Sequence, residues 1–156
     1  MINVWKKIVL SLIIFIALCL LEIYLNGFFV VRPIIDFVLL YLIILVFFAP
    51  LWLVILLVIL KGLIFDSLLG INWGINLISL LISFIFGYYL LTCIDKESFF
   101  ARLMIGSLMI IFYFSVFEVL NIFVYHNGFQ FLIIIDLLIN LLAYLLGNFI
   151  YVQIKK

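Results

Sequence analysis

The chain has 156 residues, 72% of them hydrophobic, 19% aromatic and 10% charged, whereas a soluble domain has roughly 45–50% apolar and about 25% charged residues, so no water-exposed surface can be built from this inventory. The formal net charge is +1 and the Lys and Arg residues are scattered, which excludes the basic field that a nucleic acid partner needs. Cys19 and Cys93 lack the C-x-x-C spacing of redox or metal chemistry and read as small apolar packing residues.

A helix rises 1.5 Å per residue and the hydrocarbon core is about 30 Å thick, so a membrane span takes roughly 20 apolar residues. Lys6 and Lys7 precede an apolar run that has no A-x-A-like cleavage site and continues through Cys19 and Glu22 to Leu25. It reads as a retained first span, 8–25, and not as a signal peptide. Asn26-Gly27 is expected to end it. After Arg32-Pro33, where the fixed φ of proline suits a helix start, the chain is apolar almost throughout from Ile34 to Leu69. A single helix over that stretch would be about 54 Å long, too long for one span. Pro50 disfavours helical geometry at Ala49 and places a tight hairpin at Phe48 to Leu51, which divides the stretch into spans 34–48 and 51–69. Gly70-Ile71-Asn72-Trp73-Gly74 is the next turn, with Trp73 at interface depth. Span four is 75–94, the polar run Asp95-Lys96-Glu97-Ser98 follows, and span five is 103–125. After His126-Asn127-Gly128 comes span six, 131–152, and then Lys155-Lys156. The fold class expected is all-α: a polytopic bundle of about six transmembrane helices in one integral membrane domain, with no soluble domain, linker or internal repeat.

Orientation follows from the Lys and Arg content of short loops. With the N-terminus inside, the cytoplasmic side holds Lys6, Lys7, Lys96, Arg102, Lys155 and Lys156, against Arg32 in the outer loops. An odd number of spans would separate the two basic ends. Both termini are therefore expected in the cytoplasm.

A charged side chain at mid-bilayer costs about 2.5–3.5 kcal/mol on insertion scales, so the placement of charges is informative. In this topology Glu22, Asp36, Asp66, Glu118 and Asp136 all fall in the outer third of their spans. Glu22 and Asp36 are equally well read as end residues that reach the headgroups. The other three continue into small or polar stripes at helical spacing, which suit close packing against another helix or another protein. The stripes are Gly62, Asp66 and Gly70; Asn76, Ser79, Ser83 and Gly87; Glu118, Asn121 and Tyr125; and Asp136, Asn140, Tyr144 and Asn148. Lys61 is the one basic residue deep in a span. It lies about 140° around the helix from Asp66, so it either snorkels or meets an acid from another helix.

No H-E-x-x-H, G-x-S-x-G or Walker sequence is present, the only histidine is His126 in a turn, and the Y-D and G-x-G-D signatures of intramembrane aspartyl proteases are missing. Catalysis and a cofactor are not expected.

The segment from Gly62 to Asn76 has the form G-x-x-x-D-x-x-x-G-x-x-x-G-x-N, carried by Gly62, Asp66, Gly70, Gly74 and Asn76. It resembles the central motif of the MreD family, the small membrane component of the bacterial rod-shape or elongation machinery. Arg32-Pro33, the following apolar run with Tyr41 and Pro50, and the acids Glu118 and Asp136 are similar to that family as well, so the resemblance covers roughly Arg32 to the end. Lys61 and Trp73 depart from it, an apolar or small residue and a leucine being expected there. The resemblance implies a non-enzymatic scaffold in the bacterial cytoplasmic membrane. Such a scaffold binds MreC and, through it, helps couple the cytoplasmic actin-like filament to cell-wall synthases. The alternative is a substrate-binding membrane subunit of a vitamin or metal importer, which has similar size and span number and an MreD-like fold. An importer subunit needs a polar cavity, whereas a scaffold can fill the same space with apolar side chains. The 18 phenylalanines favour a filled interior.

Overall fold

Six helices form in a computed structural model that describes residues 2–28, 35–69, 74–94, 98–126, 128 and 130–154. They are α1 (Ile2–Phe28), α2 (Phe37–Val46), α3 (Leu51–Leu69), α4 (Ile75–Cys93), α5 (Phe99–Tyr125) and α6 (Phe131–Ile154). Among the described residues four are long and apolar enough to cross a membrane: α1 over Ile8–Leu25, α4, α5, and α6 over Phe131–Phe149. α3 adds 19 residues, about 28 Å of helix. The molecule is a helical membrane bundle.

The proline hairpin forms as its local chemistry dictates. Ala49 stays out of the helices, and the carbonyl of Pro50 accepts the first hydrogen bonds of α3, from the N–H groups of Leu53 (3.1 Å) and Val54 (3.3 Å). Gly74 heads α4 with φ +76°, a left-handed conformation that glycine adopts without a Cβ penalty. His126 closes α5 at φ 53°, its N–H donating to the Ile122 carbonyl.

Three expectations are corrected. The second span, 34–48, holds a helix of ten residues, about 15 Å or half the hydrocarbon thickness. The first helix runs through Asn26-Gly27 to Phe28 instead of turning there. Cys19 is a buried packing residue, but Cys93 is exposed at the end of α4. The sequence features at Arg32, Pro33, Gly70, Asn72, Trp73, Asp95 to Glu97, Asn127, Lys155 and Lys156 lie outside the described residues.

The half-length helix α2 forms the centre. It touches α1, α3 and α5, and Val38, Leu39, Leu42 and Ile43 have no solvent exposure. α4 lies between α3 and α5, and α6 lies against α5. Small residues set these approaches. A Cβ on Gly62 would come within 2.6 Å of the Leu77 Cα; Gly87 gives its space to Met109, and Gly106 to the Tyr144 ring. The stripe Asn76, Ser79, Ser83 and Gly87 is buried, with the two serine hydroxyls donating to carbonyls four residues earlier. On α6, Asn140 and Tyr144 are buried, and the Tyr144 hydroxyl donates to the Arg102 carbonyl at 2.7 Å. The remaining core is apolar and rich in rings, including Phe15, Phe65, Phe84, Tyr113, Phe114 and Phe117.

Candidate functional site: a buried charge node and three helix caps

A helix that ends inside a bilayer leaves its first N–H groups without water, and each must find an acceptor in the protein. Asp36 occupies the N-cap of α2. Its Oδ1 accepts from the Leu39 N–H at 2.6 Å, and its own N–H donates to Asn140 Oδ1 of α6 at 2.9 Å. Glu22 Oε2 of α1 accepts from the Val38 N–H at 3.3 Å, and the Glu22 carboxyl lies beside Asp36 and Lys61. The Lys61 ammonium of α3 donates to both carboxylate oxygens of Asp36 in an ion pair. It also stands 5.5 Å above the centroid of the Phe65 ring, within cation–π range. Three helices, α1, α3 and α6, therefore converge on the start of α2. Lys61 is only 2% exposed and Glu22 5%, so both are enclosed by the protein itself.

Of the two readings of Lys61, the structure chooses the acid from another helix. Lys61 stands about 15 Å along α3 from Leu51, near the middle of that helix. The Lys61 ammonium offsets the Asp36 carboxylate directly, with the Glu22 carboxyl and the N-terminus of α2 beside the pair. The node is thus close to electrical balance, as a buried charge cluster has to be.

The other acids repeat one device. Asp66 of α3 accepts from the N–H groups of Asn76 (3.2 Å) and Leu77 (3.1 Å) at the start of α4. Glu118 of α5 is 5% exposed, and its Oε1 accepts from the Gln130 N–H, one residue before α6, at 2.7 Å. In each hairpin, α1–α2, α3–α4 and α5–α6, an acid near the end of the first helix caps the second. A carboxylate at a helix N-terminus is favoured both by the hydrogen bonds and by the helix dipole. This recurrence is invisible as a sequence repeat, because the separations from the acid to the backbone N–H that it accepts from are 16, 10 to 11, and 12 residues.

The remaining candidates are placed as follows. Gly62 and Asn76 belong to the α3–α4–α5 contact, where Asn76 Oδ1 accepts from the Tyr113 hydroxyl at 3.0 Å. Asp136 is half-buried one turn before Asn140, and its carbonyl accepts from Asn140 Nδ2 at 2.8 Å. The structure joins Glu22, Asp36, Lys61 and Asn140 in one node and keeps Asp66, with Gly62 and Asn76, in a second. Tyr113 was not among the sequence candidates, and its spacing offered no sign of its bond to Asn76. Asp36 did carry such a sign, since an aspartate just before an apolar run is an N-cap signature. No family model, curated protein or solved structure matches the chain.

Proposed function

We propose that the chain is a non-enzymatic scaffold of the bacterial cell-shape machinery. In this reading it binds an MreC-like protein and, through it, helps couple an actin-like filament to peptidoglycan synthases. The reading starts from the resemblance of Gly62 to Asn76 to the MreD motif. The observation that supports it is the use to which the buried charges are put. Glu22, Asp36, Lys61, Asp66 and Glu118 each bind a neighbouring helix or its cap, which builds a rigid body and not a ligand cradle. The ring-rich core agrees with a filled interior. Affinity purification from membranes should recover an MreC-like protein and cell-wall synthases. Recovery of a clean monomer carrying a stoichiometric vitamin or metal would instead establish the importer reading.

In this proposal the molecule sits in the bacterial cytoplasmic membrane with both ends in the cytoplasm. The Ser11–Tyr41 bond puts the start of α1 beside the C-terminal half of α2, and Phe47 and Phe48 share a cavity with Gly147 and Asn148 of α6. The start of α1 and the end of α6 thus lie at one end of the bundle. A reporter active on one side of the membrane, fused after Lys156, should report the cytoplasm, and the same reporter inserted at Gly128 should report the outside. Equal signals at both places would defeat this orientation.

A further inference from the structure

Two acids stand side by side at the start of α2 and are served unequally. Their oxygens bind adjacent N–H groups of its first turn: Asp36 Oδ1 that of Leu39 at 2.6 Å, and Glu22 Oε2 that of Val38 at 3.3 Å. The Lys61 ammonium donates to both oxygens of Asp36. Asp36 therefore has its charge matched and three of its roughly four lone-pair sites filled. Glu22 has one long hydrogen bond, no cation of its own among the described residues, and 5% exposure to water. The titratable groups that face it are Asp36 on α2, Lys61 on α3 and the Cys19 thiol, one turn earlier on α1. α6 contributes Asn140, which carries no charge.

We propose that Glu22 is a proton-binding site: its carboxyl is uncharged at neutral pH, with Oε2 accepting from Val38 and Oε1 donating its proton to the remaining lone pair of Asp36. A second ionised carboxylate here would be a like charge against Asp36 and a buried charge without a counterion, both of which favour the protonated form. One proton between the two acids converts that repulsion into a charge-assisted O–H···O⁻ hydrogen bond, which is stronger than a neutral one. It also satisfies the Glu22 oxygen that has no backbone donor. The bound proton is thus a catch that ties α1 to the N-cap of α2. Its loss to solvent sets two like charges against each other at the end of a ten-residue helix, and α2 loosens. The stability that the catch supplies is present while the proton is bound and is lost as pH rises.

The test is NMR of the glutamate carboxyl carbons, isotope-labelled in the full chain and held in nanodiscs. The chain has three glutamates, Glu22, Glu97 and Glu118, and the signal lost in Glu22→Gln assigns the first. At neutral pH that signal should stand at the carboxylic-acid position. An ordinary glutamate is half-ionised near pH ~4.3, and neutral pH is roughly a 500-fold lower proton concentration. Asp36→Asn leaves the Lys61 ammonium to Glu22 and should move the signal to the carboxylate position at the same pH. As pH is raised through the ionisation of Glu22, the unaltered protein should lose melting temperature. Glu22→Gln, whose amide N–H donates to Asp36 as the acid O–H does, should hold its melting temperature over the same range. A carboxylate signal from the unaltered protein at neutral pH would overturn the proposal. A carboxylic-acid signal that persists in Asp36→Asn would overturn the sharing with Asp36, burial alone then holding the proton. Equal loss of melting temperature in the unaltered protein and in Glu22→Gln would assign the sensitivity to Lys61 or Cys19 and overturn the catch.

Discussion

Lys61→Met should be the most damaging single substitution in the bundle, costing about 3–5 kcal/mol, the range for breaking one side of a buried ion pair. Methionine keeps the length and the contact with Phe65, but it leaves the Asp36 carboxylate at the start of α2 with only the helix N-terminus to offset it. The companion variant removes the orphaned charge: Asp36→Asn retains an oxygen for the Leu39 N–H while carrying no charge. Lys61→Met/Asp36→Asn should therefore be more stable than Lys61→Met alone. Thermal unfolding of the four proteins in the same detergent, combined as a double-mutant cycle, measures the coupling. A Lys61→Met protein that melts with the unaltered one would show that the pair contributes nothing.

Gly62→Leu should come next, and it should exceed Asp66→Leu although the aspartate is the charged residue. Any side chain at position 62 starts 2.6 Å from the Leu77 Cα, so leucine must push α3 and α4 apart. Such overpacking costs typically 1–3 kcal/mol and more where backbone has to move. Asp66→Leu leaves the helix crossing intact but orphans the N–H groups of Asn76 and Leu77, at about 1–3 kcal/mol for a buried unmet donor. Asp66→Asn keeps an acceptor and should be mild. The order Gly62→Leu, Asp66→Leu, Asp66→Asn in melting temperature is the expected result. An Asp66→Asn protein as unstable as Asp66→Leu would mean that the negative charge matters more than the cap.

Where a structural decision rests on a few adjacent atoms, the sequence carried it. Proline at 50 forbids a helix at the residue before it, and the α2–α3 turn lies there. Glycine at 74 permits a left-handed residue, and α4 begins behind it. The length of α2 was a different kind of question. Apart from Asp36, Ile34 to Phe48 is apolar, and hydropathy registers what a segment is made of, not how much of it is coiled. The partner of Lys61 was hidden for another reason: Asp36 is 25 residues away and on a different helix, and nothing in either neighbourhood points to the other. The acids at helix ends looked like a layer at one depth. Glu22, Asp66 and Glu118 instead cap three different helices, each through a backbone that only the folded chain brings near.

The bond from the Asp36 N–H to Asn140 spans 104 residues, and this has a consequence for biogenesis. Glu22 precedes α2 on the ribosome and Lys61 follows soon after, but Asn140 emerges last. At roughly 5–20 residues per second the start of α2 waits on the order of 5–20 s for its final acceptor. During that interval a ten-residue helix, too short to be held by lipid alone, depends on the α1 and α3 side chains that are already synthesised. The node thus acts as a clasp on assembly order: two of its arms can close during translation, and the third closes only once the sixth helix has inserted.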